Sequence, residues 1–284
     1  MKFIESVYQK AKEGRRRVAI PECSNEMMLK SAVTAADDGI AEVVLVEDKE
    51  KIQESAKEFG LDLSNIKIVD INDEAYAAEL VERFCALPNK VLGKKSVAKR
   101  IKKPLYMALI MEAVGDVDCT FGGLDTTTYE FILAATSIIG LEEGCNTASA
   151  LLLLEMENFD GTQGNIIGMS DGAICIDPDA EQVASIAMSC CDTFEALTGN
   201  VARCATLSYS TDGSGTSPDA QKMHDAVAIA KEKRPDLKID GEFQSDAALI
   251  ARVAAKKVKR ESDVAGQANV LIFPTAVCKD LYQF

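Results

Sequence analysis

The sequence predicts an α/β fold with largely parallel, doubly wound sheets. Two observations predict it. Short apolar runs alternate with longer helix-like segments along the 284 residues, and glycine or proline closes most of those segments. Such sheets bind ligands beyond the carboxyl ends of their strands, so the loops that follow strands are the first places to search for function.

The first half contains four predicted strands and five predicted helices. Ser24 is suited to cap the first of these helices, and Gly39, Gly60 and Gly140 are suited to end helices. Pro104 fits the first turn of a helix, where its missing N–H costs nothing. The predicted strands are 18–20, 42–46, 66–69 and 117–121, and the predicted helices are 25–38, 50–59, 73–85, 104–114 and 126–139.

The second half repeats this alternation. Asp177 or Asp179 can cap its longest helix, Gly199 can end it, and Pro235 closes the next helix. The stretch 140–146 is the best candidate for a domain change. The predicted strands are 148–156, 165–169, 203–209, 238–242 and 269–273, and the predicted helices are 180–197, 218–233 and 246–256.

Composition excludes several classes of function. The net charge is −14, from 31 basic and 45 acidic residues, which opposes general binding to nucleic acid or to an anionic membrane. No apolar run approaches the roughly 18 residues of a membrane-spanning helix, and the N-terminus lacks the apolar segment of a signal peptide. Nine cysteines without a C-x-x-C pair predict reduced thiols, mostly small core residues, in a cytoplasmic protein.

The loop after the strand 203–209 is rich in hydroxyl groups and glycine, and a helix-like segment follows it. A strand, such a loop and a helix N-terminus commonly hold a phosphate or another anion. A purely polar turn has a similar composition, so the spacing alone leaves both interpretations open. The candidate ligand-binding residues of this loop are Ser208, Ser210, Thr211, Gly213, Ser214 and Gly215.

Four other features of the sequence each have an ordinary structural interpretation. Thr127 and Thr128, after Gly122-Gly123, either bind an anion or cap a helix. The only histidine, His224, is interpreted as a helix-face residue. Asp171, Asp177 and Asp179 lack the spacing of a calcium loop, so no metal site is predicted. The basic run 94–103 carries six positive charges and is either a solvated helix face or an attractor of a phosphate-bearing ligand. No dinucleotide-binding or Walker motif occurs.

Several segments together resemble the phosphate acyltransferase family, the phosphotransacetylases in particular. The segments RVAIPE, SDGAI, LSYSTDGS, DGEFQ and VAGQANV, at 17–22, 170–174, 207–214, 240–244 and 264–270, carry the resemblance. Shorter pieces at 39–41, 122–128, 179–182, 186–187, 246–248 and 273–274 extend it. All occur in the family's order, and they cover most of the chain.

The resemblance implies two three-layer α/β domains with mainly parallel sheets and an interdomain cleft. Residues 1–142 plus 264–284 would form the first domain, and 143–263 would form an inserted second domain. The implied reaction converts acetyl-CoA and phosphate into acetyl phosphate and CoA. A phosphate butyryltransferase or other short-acyl transferase, and a non-catalytic paralogue that binds CoA or phosphate, remain open as alternatives.

The resemblance also implies the substrates and the binding residues. Coenzyme A and acetyl-CoA act as substrates; no tightly bound cofactor, no metal and no macromolecular partner other than a second copy in a homodimer is expected. Catalytic residues are left unassigned. The loop 208–215 is expected to face two threonines across the cleft. The implied substrate-binding residues are Thr127, Thr128, Ser208, Ser210, Thr211, Gly213, Ser214, Gly215 and Asp246.

Two departures from the family's pattern lead us to expect little activity. After Pro274 the sequence lacks the family's glycine-rich helix and its Ser-Arg loop, which a frameshift, an early stop or a natural shortening would each explain. Leu133 stands where the family has a phosphate-binding arginine. We therefore expect weak CoA binding, little or no acetyl transfer, and exposed apolar side chains at Leu281, Tyr282 and Phe284.

Overall fold

The computed structural model describes residues 3–88, 90–157, 159 and 161–275. The chain divides into two compact units, Met1–Gly140 and Leu141–Phe284. Each unit contains one sheet, of four strands in the first and five in the second, and both sheets are mainly parallel. The predicted α/β class is confirmed.

The first unit is a parallel sheet between two layers of helices. The strand order is β3-β2-β1-β4, with α2 and α3 packed on one face and α4 to α7 on the other. The α1 helix was not predicted. In chain order the elements are α1 Phe3–Gly14, β1 Arg16–Ile20, α2 Glu26–Asp37, β2 Ala41–Glu47, α3 Lys49–Phe59, β3 Lys67–Asp70, α4 Glu74–Ala86, α5 Lys94–Arg100, α6 Pro104–Ala113, β4 Cys119–Thr120 and α7 Thr128–Ile138.

Local capping explains several boundaries of the first unit. Asn25, rather than the predicted Ser24, caps α2, because its side chain accepts the N–H groups of Met27 and Met28. Gly60 ends α3 in the left-handed conformation, at φ 67°, which glycine adopts at no steric cost. The strand predicted over 117–121 is only two residues long.

The second unit is also three-layered, with strand order β5-β6-β9-β7-β8. Only β5 runs antiparallel to its neighbour. Helices α8 and α9 cover one face, and α10 and α11 cover the other. The elements are β5 Leu152–Glu155, β6 Ile166–Ser170, α8 Ala180–Thr198, β7 Arg203–Leu207, α9 Pro218–Lys233, β8 Lys238–Phe243, α10 Ser245–Leu249, α11 Ala251–Lys257 and β9 Val270–Ile272.

The position of β9 contradicts the predicted domain boundaries. Residues 264–273 were expected to return to the first domain, yet β9 pairs with β6 and β7 in the second sheet. Its three residues are buried on both faces, so this apolar run needs a central position, which β6 and β7 provide. The described part of 264–284 therefore belongs to the second unit, and the predicted boundary at residue 263 is wrong. Residues 276–284 lie outside the described part of the chain.

The predicted helix 246–256 is two short helices instead of one. Ile250, with φ −114° and ψ 107°, is extended between α10 and α11. Gly266 packs directly against this break, because a Cβ on it would lie 2.6 Å from the Ala251 Cα. The close approach of the two backbones therefore redirects a segment whose composition favours a single helix.

Candidate functional site

The first sheet places a cavity where its strand order reverses. In the sheet, β2 and β3 lie on one side of β1, and β4 lies on its other side. Ligands of such sheets bind in the crevice at this position. A cavity of about 440 Å³ lies there, which we call the switch-point cavity. It is lined by Pro21, Glu22, Ser24, Glu47, Lys103, Pro104, Leu105, Tyr106, Asp125, Thr126, Glu130 and Leu133.

Glu22, the second residue after β1, shapes the loop that borders this cavity. Its Oε2 accepts the N–H groups of Gly123 and Leu124, both at 2.9 Å, and its Oε1 accepts the N–H of Thr126 at 2.8 Å. Partial burial raises the pKa of Glu22, but these hydrogen bonds and one from the Thr126 side chain outweigh it and hold the pKa below its ordinary value. The carboxylate of Glu22, which belongs to the chain itself, therefore occupies the loop 122–127 that follows β4.

The two predicted threonines lie at the start of α7. Thr127 caps the helix, because its Oγ1 accepts the N–H of Glu130 at 3.3 Å, in agreement with the capping interpretation. Thr128 is the first residue of the helix and is exposed. Thr127 is exposed as well, but its hydroxyl is hydrogen-bonded to Glu130, so the Thr128 hydroxyl is the more available of the two to an anion.

A second internal carboxylate organises the loop after β7. Glu242, near the end of β8, has a side chain only 4% exposed. Its Oε1 accepts the Ser210 hydroxyl and the Gly213 N–H, both at 2.8 Å. Its carbonyl oxygen accepts the N–H of Asp212 at 3.0 Å. Ser210 and Gly213, which the sequence predicted as phosphate-binding residues, therefore donate their hydrogen bonds to Glu242.

The other predicted hydroxyls stabilise the same loop. Ser208 Oγ accepts the N–H of Ser210 at 3.2 Å, and Ser214 Oγ accepts that of Thr211 at 3.0 Å. Ser210 Oγ also accepts the N–H of Gly215 at 2.9 Å. Ser210 and Thr211 are buried, whereas Gly213 and Ser214 are exposed. Only part of the predicted loop therefore faces solvent.

A second cavity, of about 310 Å³, opens beside this loop and is called the loop cavity. His224 lies at its wall, with Nδ1 3.6 Å from Glu242 Oε2 and 62% of its side chain exposed. The histidine is on a helix face, as predicted, but it also faces a buried carboxylate. The cavity is lined by Asp212, Gly213, Gly215, Thr216, Ser217, Ala220, Gln221, His224 and Glu242.

Two other predicted features have structural partners. Asp246 accepts Lys257 Nζ on both carboxylate oxygens, at 3.0 and 2.9 Å, which lowers its pKa; it lines neither cavity. Lys94 of the basic run pairs with Glu82, and Lys103 lines the switch-point cavity. In the described part of the chain, Asp246 and Lys94 are paired with Lys257 and Glu82, and not with the loop 208–215.

The aspartates after β6 are structural. Asp171 accepts the N–H groups of Ala173, Ile174 and Cys175, and Asp179 forms a capping box with Gln182 at the start of α8. In the described ranges no group of three or more His, Cys, Asp or Glu side chains is arranged to hold a metal ion. The helices in those ranges are too short or too polar to cross a membrane.

Residues 2–276 match the family described as Phosphate acetyl/butaryl transferase. The chain belongs to this family. A phosphate acetyltransferase of Thermoanaerobacterium thermosaccharolyticum is 33% identical over 275 residues, which cover 96% of this chain and 83% of that protein. The resemblance stated from the sequence segments is thereby confirmed.

Solved structures agree with this assignment. A phosphotransacetylase from Streptococcus pyogenes has a TM-score of 0.88 at 26% identity, covering 99% of this chain and 83% of the other. A phosphotransacetylase from Staphylococcus aureus has a TM-score of 0.87 at 25% identity, covering 99% and 84%. The expected cleft, and the loop 208–215 facing Thr127 and Thr128 across it, stay predictions. The expected departure after Pro274 falls mostly on residues outside the described part of the chain.

Proposed function

We propose that this member of the family transfers an acetyl group between coenzyme A and inorganic phosphate, at the low rate expected with Leu133 in place of a phosphate-binding arginine. The CoA thiolate attacks the carbonyl carbon of acetyl phosphate, a tetrahedral oxyanion forms, and phosphate leaves as the thioester forms. The observation that carries the proposal is the switch-point cavity beside the hydroxyl-rich start of α7, in a chain of this family. The first N–H groups of a helix and its dipole favour a phosphate at that position.

The other substrate-binding residues remain part of the proposal. The exposed members of the loop after β7, Gly213 and Ser214, would contribute polar contacts to the phosphate-bearing substrates. Ser210 and Thr211 would act by holding the loop, because both are buried and hydrogen-bonded within it. A homodimer also remains a prediction, which the mass of the protein in solution would test.

Release of free CoA thiol from acetyl-CoA tests the proposed function. With phosphate or arsenate present, an acetyltransferase releases thiol in proportion to enzyme, and arsenate drives the reaction because the acyl arsenate hydrolyses. Without either anion, the release should fall to the uncatalysed rate. Calorimetric binding of CoA without any anion-dependent thiol release would instead favour the non-catalytic paralogue.

Replacing Thr128 with valine should raise the KM for phosphate about twofold to tenfold, with little change in kcat. The hydroxyl is exposed at the first position of α7, and a hydrogen bond of this kind contributes about 0.5–1.5 kcal/mol. Initial rates of thiol release at varied phosphate concentration measure the effect. Thr136→Val in the same helix is the control. The Thr136 hydroxyl donates to the Ile132 carbonyl, and Thr136 lines neither the switch-point cavity nor the loop cavity. Equal KM values for the two variants would remove Thr128 from the phosphate site.

A further inference from the structure

Another cavity, which we call the α4–α5 groove, lies between helices α4 and α5 of the first unit. Its volume is about 500 Å³, which is within the range of small-molecule sites in proteins. None of the residues that line it lines the switch-point cavity or the loop cavity. The groove is therefore separate from the residues that the proposed function uses.

The inner surface of the groove is apolar and is built largely from small side chains. Val81 of α4 and Ile101, which follows α5, are buried, whereas Ala78 and Ala98 are exposed. Alanines on both helices leave room between them, and an apolar group placed there would displace water from this surface. The apolar lining residues are Ile71, Ala77, Ala78, Val81, Ala98 and Ile101.

Two acidic and two basic side chains line the same groove. Lys94 of α5 and Glu82 of α4 form an ion pair that joins the two helices. Glu74, in the first turn of α4, and Lys102 are exposed, and neither forms an ion pair within the described ranges. One charge of each sign is therefore available to a ligand.

This balance of charge favours a ligand that carries both signs. A carboxylate alone would meet Lys102 but would be repelled by Glu74, and an ammonium group alone would be repelled by Lys102. A zwitterion supplies a partner to each, and the apolar surface beside them accepts a hydrocarbon side chain. An α-amino acid with an apolar side chain has all three features.

We propose that the α4–α5 groove is a binding site for an α-amino acid with an apolar side chain. The ammonium group of the ligand pairs with Glu74, its carboxylate pairs with Lys102, and its side chain lies between Ala78 and Ala98. Burial of one CH₂ strengthens binding about threefold to fourfold. Leucine should therefore bind at least about tenfold more tightly than alanine does.

Calorimetric titration with leucine, leucinamide and isocaproate tests the two charge contacts separately. Leucinamide lacks the carboxylate, and isocaproate lacks the ammonium group. Each analogue should bind the unmodified chain about tenfold more weakly than leucine, because one hydrogen bond between charged groups is lost. Glu74→Gln should weaken the binding of leucine by this factor and leave that of isocaproate unchanged. Lys102→Gln should weaken the binding of leucine and leave that of leucinamide unchanged.

Two further variants complete the test. Ala98→Leu should fill the groove and abolish leucine binding; Ala98 is exposed on α5, so the urea midpoint should stay unchanged. Glu79→Gln is the matched control, because Glu79 lies on α4 and pairs with Arg83 but does not line the groove. This control should bind all three ligands as the unmodified chain does.

Three results would overturn this inference: no binding of leucine to the unmodified chain, equal binding to Ala98→Leu, or a leucine affinity that Glu74→Gln and Lys102→Gln both leave unchanged. None of these measurements uses acyl transfer. Absence of anion-dependent thiol release would therefore contradict the proposed function and leave the amino-acid site standing.

Discussion

Replacing Glu242 with alanine is expected to lower the free energy of unfolding by about 2–4 kcal/mol. The buried Glu242 carboxylate accepts the Ser210 hydroxyl and the Gly213 N–H. The buried Ser210 hydroxyl left without an acceptor costs about 1–3 kcal/mol, and the N–H of the exposed Gly213 adds a smaller cost. The loop 208–217 should then lose its conformation, and its contribution to substrate binding should go with it. Urea unfolding of the variant beside the unmodified chain measures the change.

Glu242→Gln is the control for this prediction. Its amide oxygen can accept the same two donors at the same volume, so stability should fall by less than about 1 kcal/mol. An alanine variant that unfolds at the same urea concentration as the unmodified chain would show that the loop does not depend on this carboxylate. A glutamine variant as unstable as the alanine variant would show that the charge, rather than the acceptor, is what the loop needs.

Replacing Glu22 with alanine should lower kcat/KM about 10²-fold, with a smaller loss of stability. The Glu22 carboxylate fixes three backbone N–H groups of the loop that leads into Thr127 and α7. A displacement of about 1 Å at a binding group can cost this factor. Anion-dependent thiol release gives the rate. Glu26→Ala serves as the control, because Glu26 forms only an exposed pair with Lys30 on α2.

The contribution of Glu22 to stability should also depend on pH. Its pKa is lower in the folded chain than its ordinary value, so the unfolded chain binds its proton more readily. The stabilisation is therefore complete above the unfolded pKa of about 4.3 and is lost as the pH falls through the lower, folded pKa. The difference in unfolding free energy between the unmodified chain and Glu22→Ala should shrink below about pH 4. A difference that stays constant from pH 7 to pH 3 would contradict this account.

Periodicity and turn residues predicted most of the elements, because caps and breakers act locally. The capping box of Asp179 with Gln182 and the left-handed Gly60 are set by neighbours in sequence. The place of β9 is not local. An apolar run of this kind fits the centre of either sheet, and only pairing with β6 and β7 decides which one.

In the candidate site, too, local features could be predicted from the sequence and long-range contacts could not. Glycine and hydroxyl content marked two loops, and both follow the carboxyl ends of strands, β4 and β7; their role in binding substrate stays a prediction. The residues that fill those loops, Glu22 and Glu242, lie 101 and 29 positions from Gly123 and Gly213, so no local spacing connects them. A usable signal was present: Glu22 lies two positions after β1, and Glu242 lies within the buried strand β8, where an unpaired charge would be costly.

The central claim is that this chain transfers an acyl group between CoA and phosphate, and isotope exchange tests it most directly. The protein is incubated with acyl phosphate, ³²P-labelled phosphate and a catalytic amount of CoA. We predict that label enters the acyl phosphate only when CoA is present, and that acyl-CoA and free CoA both persist. Label that never enters the acyl phosphate with CoA, while the protein remains folded, would contradict the claim.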